Sequence, residues 1–476
     1  MNDVDQLQRS SSSRPWSFTS PWPPQLSEFM ATGWGTGATA AIGSAPPPAL
    51  LRLRREAVRV HLDGTIPAVV SSGREQLRNG DQPWPFRADS NYVWLSGDCQ
   101  PGGVLILDPS GAAGDRLYAD LPPMRDDPDF YSNKHSGEVW VGPRPTATEL
   151  SSKLEIEVRP LGELERVLGR TVVAMSCGGV DPRLNLVHGT SNAAGEWLGS
   201  VIARLRMVKD PWEVEQISHA VELTIAGFED LRPLLGRGRQ QLERDFEVAF
   251  SAGSRRRGNG VGFPPIVGGG AHATTLHWTR NDGLIEPGEL VLVDAGAETE
   301  SLYTGDLTRT LPLSGRFSSA QRRVYAHVLA AELAAFAAIR PGREFSCFYP
   351  EIEQRLAEGL ADLGVLPVGV QESLEPECGL HRRWTLCAPG HHLGLDVHDC
   401  GAADRDSYLH GQLQPGMVLT IEPGLYFGAN DELVPPELRG IGVRIEDNLL
   451  VTDEGYELLS RRLPRQSGEV EDWILG

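Results

Sequence analysis

The chain has 476 residues, 40% of them hydrophobic, which is enough to bury a large core but too many for one ordinary domain, so two or three are expected. With 44 basic against 64 acidic residues the formal charge is −20, and a nucleic-acid polyanion would be repelled rather than recruited. Six cysteines stand singly with no CxxC pair, which argues against a disulfide framework and a zinc ribbon and fits a reducing cytoplasm.

The opening "MNDVDQLQRSSSSRP" lacks the cationic start and apolar core of an export signal, and residues 1–49 are a Ser/Pro/Gly-rich mixture read as a flexible extension. Residues 50–205 read as a first α/β domain. A helix-like segment from Leu50 gives way to the β-rich runs "TIPAVVSS", "NYVWLSG", "GVLILD", "DRLYADL", "EVWVG" and "TVVAMSC".

The second domain, 206–476, opens with a predicted amphipathic helix. Asp210 caps it, Pro211 takes the first helical position, Glu213 completes a capping box, and Val214, Ile217, Val221, Ile225 and Phe228 form one stripe. Further helices are predicted at 239–253, 318–340 and 348–363, with strands in the remainder. The run "VLAAELAAFAAI" is too short to span a bilayer and carries Glu332, so no membrane partner is expected. "VGGGAH" lacks the spacing of a phosphate loop and reads as a loop approaching the site, and "SRRRGNG" reads as a solvated loop.

Carboxylates and histidines stand inside or just beyond strand-like runs at five places in this domain: "LVLVDAG", "YTGDLTRT", "GHHLGLDVHD", "VLTIEPGLY" and "GVRIEDNLLVT". A desolvated carboxylate costs several kcal/mol unless paired, and repeating that cost four times points to a shared cation. Strand period two puts Arg444 and Glu446 on one face of "VRIE" and Thr420 and Glu422 on one face of "LTIE". Four carboxylates and one imidazole suit two divalent ions, which can activate a water while polarising a carbonyl, and the oxygen-rich set favours Mn²⁺ over Co²⁺, Fe²⁺ or Zn²⁺.

In this order and with these flanks the residues resemble the aminopeptidase P branch of the pita-bread metallopeptidases, over roughly residues 50–473. "PFRADSNYVWLSG" is similar to the signature of that family's N-terminal creatinase-like domain. "TLHWTRND", "LVDAGAE", "GDLTRTLP", "GLDVHD", "PGMVLTIEPGLY" and "GIGVRIEDNLLVT" follow its catalytic-domain pattern.

The resemblance implies a creatinase-like α/β domain followed by a pita-bread catalytic domain with a curved, mainly antiparallel sheet flanked by helices. It implies that Asp294, Asp306, His391, Glu422 and Glu446 hold two divalent metal ions, with Asp306 and Glu446 bridging. His277 and His398 would meet the substrate carbonyl or developing oxyanion, with Arg444 and Tyr426 supporting them. His392 holds a place usually taken by a bulky apolar residue and is read as packing or surface. The activity implied is hydrolysis of the bond between an N-terminal residue and a following proline, by a homodimer or homotetramer.

Two departures stand out. Family chains usually read His-Gly-x-Gly-His where this one reads Cys387-Ala388-Pro389-Gly390-His391, so a thiol of pKa about 8.5 replaces an imidazole of about 6.5 in the substrate wall. One extra residue separates Asp294 from Asp306 and falls in "ETESLY", read as a hairpin tip. Cys387 and Ala388 motivate an alternative in which the metal site serves a biosynthetic or modified amino-acid amide or C–N bond. A prolidase and a non-catalytic binding module are the remaining readings.

Overall fold

The computed structural model describes residues 23–35, 44–80, 82–112, 114–168, 175–186, 192–386 and 388–476. The chain divides into a unit of residues 1–55 with 62–190 and a unit of 56–61 with 191–476. Within 1–49, Pro24–Met30 is a short helix with no buried residue.

The first unit is built on a mixed five-stranded sheet of β1 (Ala68–Ser72), β2 (Val104–Leu107), β3 (Arg116–Ala119), β4 (Glu157–Pro160) and β5 (Met175–Gly179), in spatial order β4-β3-β2-β1-β5. β1 lies antiparallel to β2 and parallel to β5, which is why the five residues of "AVVSS" are all buried. Val69, Val104 and Tyr118 on three of these strands pack with Leu164, Leu168 and Leu184 into one core.

Two runs expected as strands are helical. "NYVWLSG" lies in α1 (Ser90–Ser96), because the Asp89 carboxylate accepts from the N–H groups of Asn91 and Tyr92, and Gly97, at φ 73°, ends the helix in the left-handed region. "EVWVG" forms a single helical turn, Glu138–Val141, closed by Gly142 at φ 80°. In both, a glycine at positive φ whose N–H satisfies an orphan C=O ends the helical turn, and in α1 the Asp89 cap satisfies orphan N–H groups as well, which outweighs β-prone side chains. Of "TVVAMSC", Met175–Cys177 belong to β5, and the earlier residues lie outside the described ones.

The second unit begins with α2 (Asn192–Met207) and α3 (Pro211–Leu231). α3 has the expected Asp210 cap, capping box and first-turn proline, and it buries Ile217, Val221, Ile225 and Phe228. α4 (Glu243–Arg257) starts later than expected because Gln241 and Leu242 pair with Ile285 and Leu284. "SRRRGNG" begins on the last turn of α4 rather than in a loop; Arg257 there pairs with Asp230, and cations at a helix C-terminus suit its dipole. α5 (Ser319–Ala338) and α6 (Tyr349–Asp362) pack on each other close to their expected bounds. Among the described residues no helix is long and apolar enough to cross a membrane.

Three open antiparallel sheets position the site: β6 (Ile266–Gly269) with β7 (Leu290–Ala295) and β8 (Leu307–Pro312), β9 (Val418–Ile421) with β12 (Asp447–Val451) and β13 (Tyr456–Leu458), and β10 (Gly424–Tyr426) with β11 (Gly442–Arg444). Isolated bridges, Thr308 to Glu446 and His392 to Leu419, link segments beside these sheets. "VGGGAH" enters β6 and then a 3₁₀ turn, Gly270–Thr274, instead of running as a free loop. "ETESLY" is a turn, but a mostly buried one: Ser301 donates to Gln216 and Tyr303 to Glu213 on α3.

Candidate active site

Each acidic residue is delivered by the end of a strand. Asp294 stands near the end of β7, and Asp306 directly precedes β8, with its backbone N–H and C=O both bonded to the Asn448 side chain at 3.1 and 2.6 Å. Glu422 stands between β9 and β10, and Glu446 between β11 and β12. His391 is held beside β9: its N–H donates to Thr420 Oγ1 at 3.0 Å and its carbonyl accepts from the Thr420 N–H at 2.9 Å. Gly390 before it has no room for a side chain, since a Cβ would stand 2.2 Å from the Thr420 carbonyl oxygen.

These five residues line one cavity of about 270 Å³ together with His277, His398 and Arg444. Its remaining wall is largely apolar and includes Phe263, Pro264, Ile266, Leu276 and Val397. Sequence reasoning did not single these out, because an apolar side chain carries no local signal of which cavity it will face.

His391 donates from Nδ1 to the His392 carbonyl at 3.1 Å, which turns Nε2 toward Asp306 at 3.4 Å and Glu422 at 3.6 Å. Asp306, His391 and Glu446 offer ligand atoms that all lie within 4.8 Å of one another. One oxygen each of Asp294, Asp306 and Glu446 is buried with no hydrogen-bond partner among the described residues. Burial pushes Asp306 up to about 7 against the pull of His391, and the charges of Asp294 and Glu422 add to the push. Burial, then the charges of Asp306, Glu422 and Asp294, lifts Glu446 well above the carboxylate range. Orphaned carboxylate oxygens around one imidazole nitrogen fit divalent cations, which would replace these protons.

Supporting groups surround them. Arg444 donates to Asp294 Oδ2 at 2.6 Å, to the Tyr426 hydroxyl at 3.0 Å and to Thr308 Oγ1 at 3.2 Å, so it braces Asp294 rather than Glu446. Tyr426 stands behind the cavity, packed with Ile266, Ala273 and Leu292. Thr308 donates to Glu446 Oε2 at 2.7 Å. Thr308 and Asn448 were missed from the sequence. The available signal was period two in "GDLTRT", which puts Asp306, Thr308 and Thr310 on one face.

His277 and His398 both stand at the exposed mouth of the cavity. The His398 ring meets that of His391 edge-on at 4.5 Å, and its pKa is lowered by partial burial and then by His391 and His277, which keeps it neutral at pH 7. Its backbone is tied down by the next residue: Asp399 accepts from Lys209 at 2.7 Å and from Arg206, both buried near the end of α2. His392 is fully buried, stacked on Phe345 at 4.5 Å, and takes no part in the cavity. Cys387 lies outside the described residues.

Residues 215–453 match metallopeptidase family M24, and residues 51–176 match the aminopeptidase P N-terminal domain. The chain is 40% identical to Xaa-Pro aminopeptidase 2 of Streptomyces coelicolor over 94% of its own length and 96% of the relative's. It is 32% identical to Xaa-Pro aminopeptidase of Haemophilus influenzae over 88% and 95%. Its fold is similar to that of aminopeptidase P from Escherichia coli, solved with the inhibitor Pro-Leu, at a TM-score of 0.79 and 27% identity, covering 91% of this chain and 99% of that one. With its divalent-metal donor set and these relatives, the chain belongs to metallopeptidase family M24.

Proposed function

We propose that the protein is an aminopeptidase that cleaves the bond between an N-terminal residue and a following proline, with Asp294, Asp306, His391, Glu422 and Glu446 holding two divalent metal ions, manganese foremost. The observation that carries this reading is the buried meeting of Asp306, His391 and Glu446 in the cavity whose mouth presents His277 and His398.

When bound, the ions supply a water of lowered pKa and a Lewis acid for the scissile carbonyl. The chain's own residues do the rest. His391 keeps its Nε2 lone pair free by donating from Nδ1, Arg444 orients Asp294, and Thr308 orients Glu446. His398, neutral at pH 7, donates with His277 to the carbonyl oxygen as charge develops there. The five cysteines described are all free, which supports a cytoplasmic setting, and assembly as a homodimer or homotetramer follows the family resemblance.

The test is bound-metal analysis with Mn²⁺-stimulated release of the first residue from Xaa-Pro-Yaa peptides and Xaa-Pro dipeptides. Asp306→Asn is expected to lose metal and at least about 10²-fold in turnover. Dipeptide turnover alone would make the protein a prolidase. Metal without peptide turnover would shift the substrate to the modified amide that Cys387 and Ala388 motivate, and absence of both would overturn the enzymatic reading.

A further inference from the structure

Glu243, on the first turn of α4, is fully buried and belongs to none of the site words of the sequence. Its carboxylate accepts four hydrogen bonds. Oε1 takes the Gly269 N–H at 2.8 Å and His272 Nδ1 at 2.7 Å; Oε2 takes the Trp278 indole N–H at 2.8 Å and the Gly283 N–H at 2.7 Å. Its own N–H donates to the Gly283 carbonyl at 3.0 Å. The His272 and Trp278 rings, both tied to this carboxylate, stack at 3.9 Å with 25° between their planes.

The donors bracket one loop. It leaves β6 at Gly269 and returns at Gly283, and between those points Leu276, His277 and Thr279 face the cavity. A second tie lies beside it: Asn281, buried and held at φ 48°, donates to the Pro265 carbonyl at 3.0 Å and accepts from the Val267 N–H at 2.9 Å. A carboxylate offers about four acceptor sites, and here all four are used. A buried carboxylate costs several kcal/mol unless so satisfied, and a glutamine of the same shape would turn its amide N–H groups toward two donors.

We propose that Glu243 is a positioning residue for the reaction: by clamping both ends of the loop and Trp278 within it, it sets the place of the adjacent His277 against the substrate carbonyl. The proposal rests on the role given to His277 above. The structure supplies the mechanical link, since Trp278 follows His277 directly and its indole cannot shift without giving up the bond to Glu243.

The test is a double-mutant cycle in the Mn²⁺-loaded full chain. It uses Glu243→Gln, His277→Ala and the double variant on an Xaa-Pro-Yaa peptide, with amide hydrogen exchange across residues 269–283 and bound metal as further readouts. Glu243→Gln is expected to lower kcat about 10-fold or more with KM within about 3-fold, because a misplacement near 1 Å can cost up to about 10²-fold. It is expected to speed exchange in the loop, leave bound metal at the parental level, and cost less than about 2-fold when added to His277→Ala. Trp278→Phe removes one of the four donors and keeps the ring; it is expected to act in the same direction more weakly, and it decides the question if Glu243→Gln does not fold. Parental kcat in both clamp variants, unchanged loop exchange, or losses that multiply with that of His277→Ala would overturn the proposal. Parental kcat in His277→Ala would instead overturn the role of His277, and the clamp's route to chemistry with it.

Discussion

His392 and its neighbour His391 share a residue type and differ in everything around them. His392 is packed between Phe345 and Tyr408 with both ring nitrogens buried and unpartnered among the described residues, and burial, then the charge of Lys209, pushes it down to about 3. The unfolded chain takes up that proton near pH 6.5. Stability from this residue is therefore complete above pH 6.5 and is lost as pH falls from 6.5 toward 3, by about 1.4 kcal/mol per pH unit. His392→Phe is expected to flatten the pH dependence of unfolding free energy by that slope between pH 6 and 4, measured by denaturant titration of the chelated protein; parallel curves for parent and variant would contradict it. At Cys387 the expectation comes from the family pattern, which places a histidine there, and from the chemistry of the two side chains. Restoring an imidazole with Cys387→His should raise Xaa-Pro-Yaa turnover by about 10-fold or more, and an equal or lower rate would mean that the pocket is shaped for the thiol. The candidate ligands were legible in the sequence because each sits inside its own local word. Thr308 and Glu243 were not, because what they touch lies 138 and up to 40 residues away.

At the scale of elements, caps decided what composition could not. α3 was legible down to its first turn, because cap, proline, capping box and apolar stripe agree. α1 was not, because Tyr92, Val93 and Trp94 read as strand while two backbone N–H bonds accepted by the Asp89 side chain and a left-handed Gly97 make a helix. Asp89→Ala is expected to destabilise the protein by about 1 kcal/mol, read as a lower denaturation midpoint with unchanged slope. No measurable shift would mean that packing of the buried face holds α1 without its cap. The strands that carry the candidate donors were legible in outline because each is a short run with a carboxylate near one end or one residue beyond it. The late start of α4 was hidden, since it depends on Gln241 and Leu242 pairing with Ile285 and Leu284, 44 and 42 residues further on.

For the whole molecule, the proposed metal donors would be a stability term as well as a catalytic one. Orphaned oxygens on Asp294, Asp306 and Glu446 leave uncompensated charge or forced protonation in the folded chain, and a cation bound only to that state relieves it. Adding Mn²⁺ at about 100 times its Kd to the chelated protein is expected to stabilise it by about 2.7 kcal/mol, seen as a rise in Tm that Asp306→Asn abolishes. An unchanged Tm in the parent would refute the binding site.

The sequence by itself determined which candidate donors are present and in what order, since residue type and strand period are local properties; the separate roles expected of the three histidines in "GHHLGLDVHD" came from the family resemblance. Tertiary structure alone decided who braces whom. Arg444 reaches Asp294 across 150 residues of chain, and Asn448 holds Asp306 across 142, because sheet register brings distant strand ends to one cavity. Register is set by how whole faces pack, and no single stretch of chain contains that information.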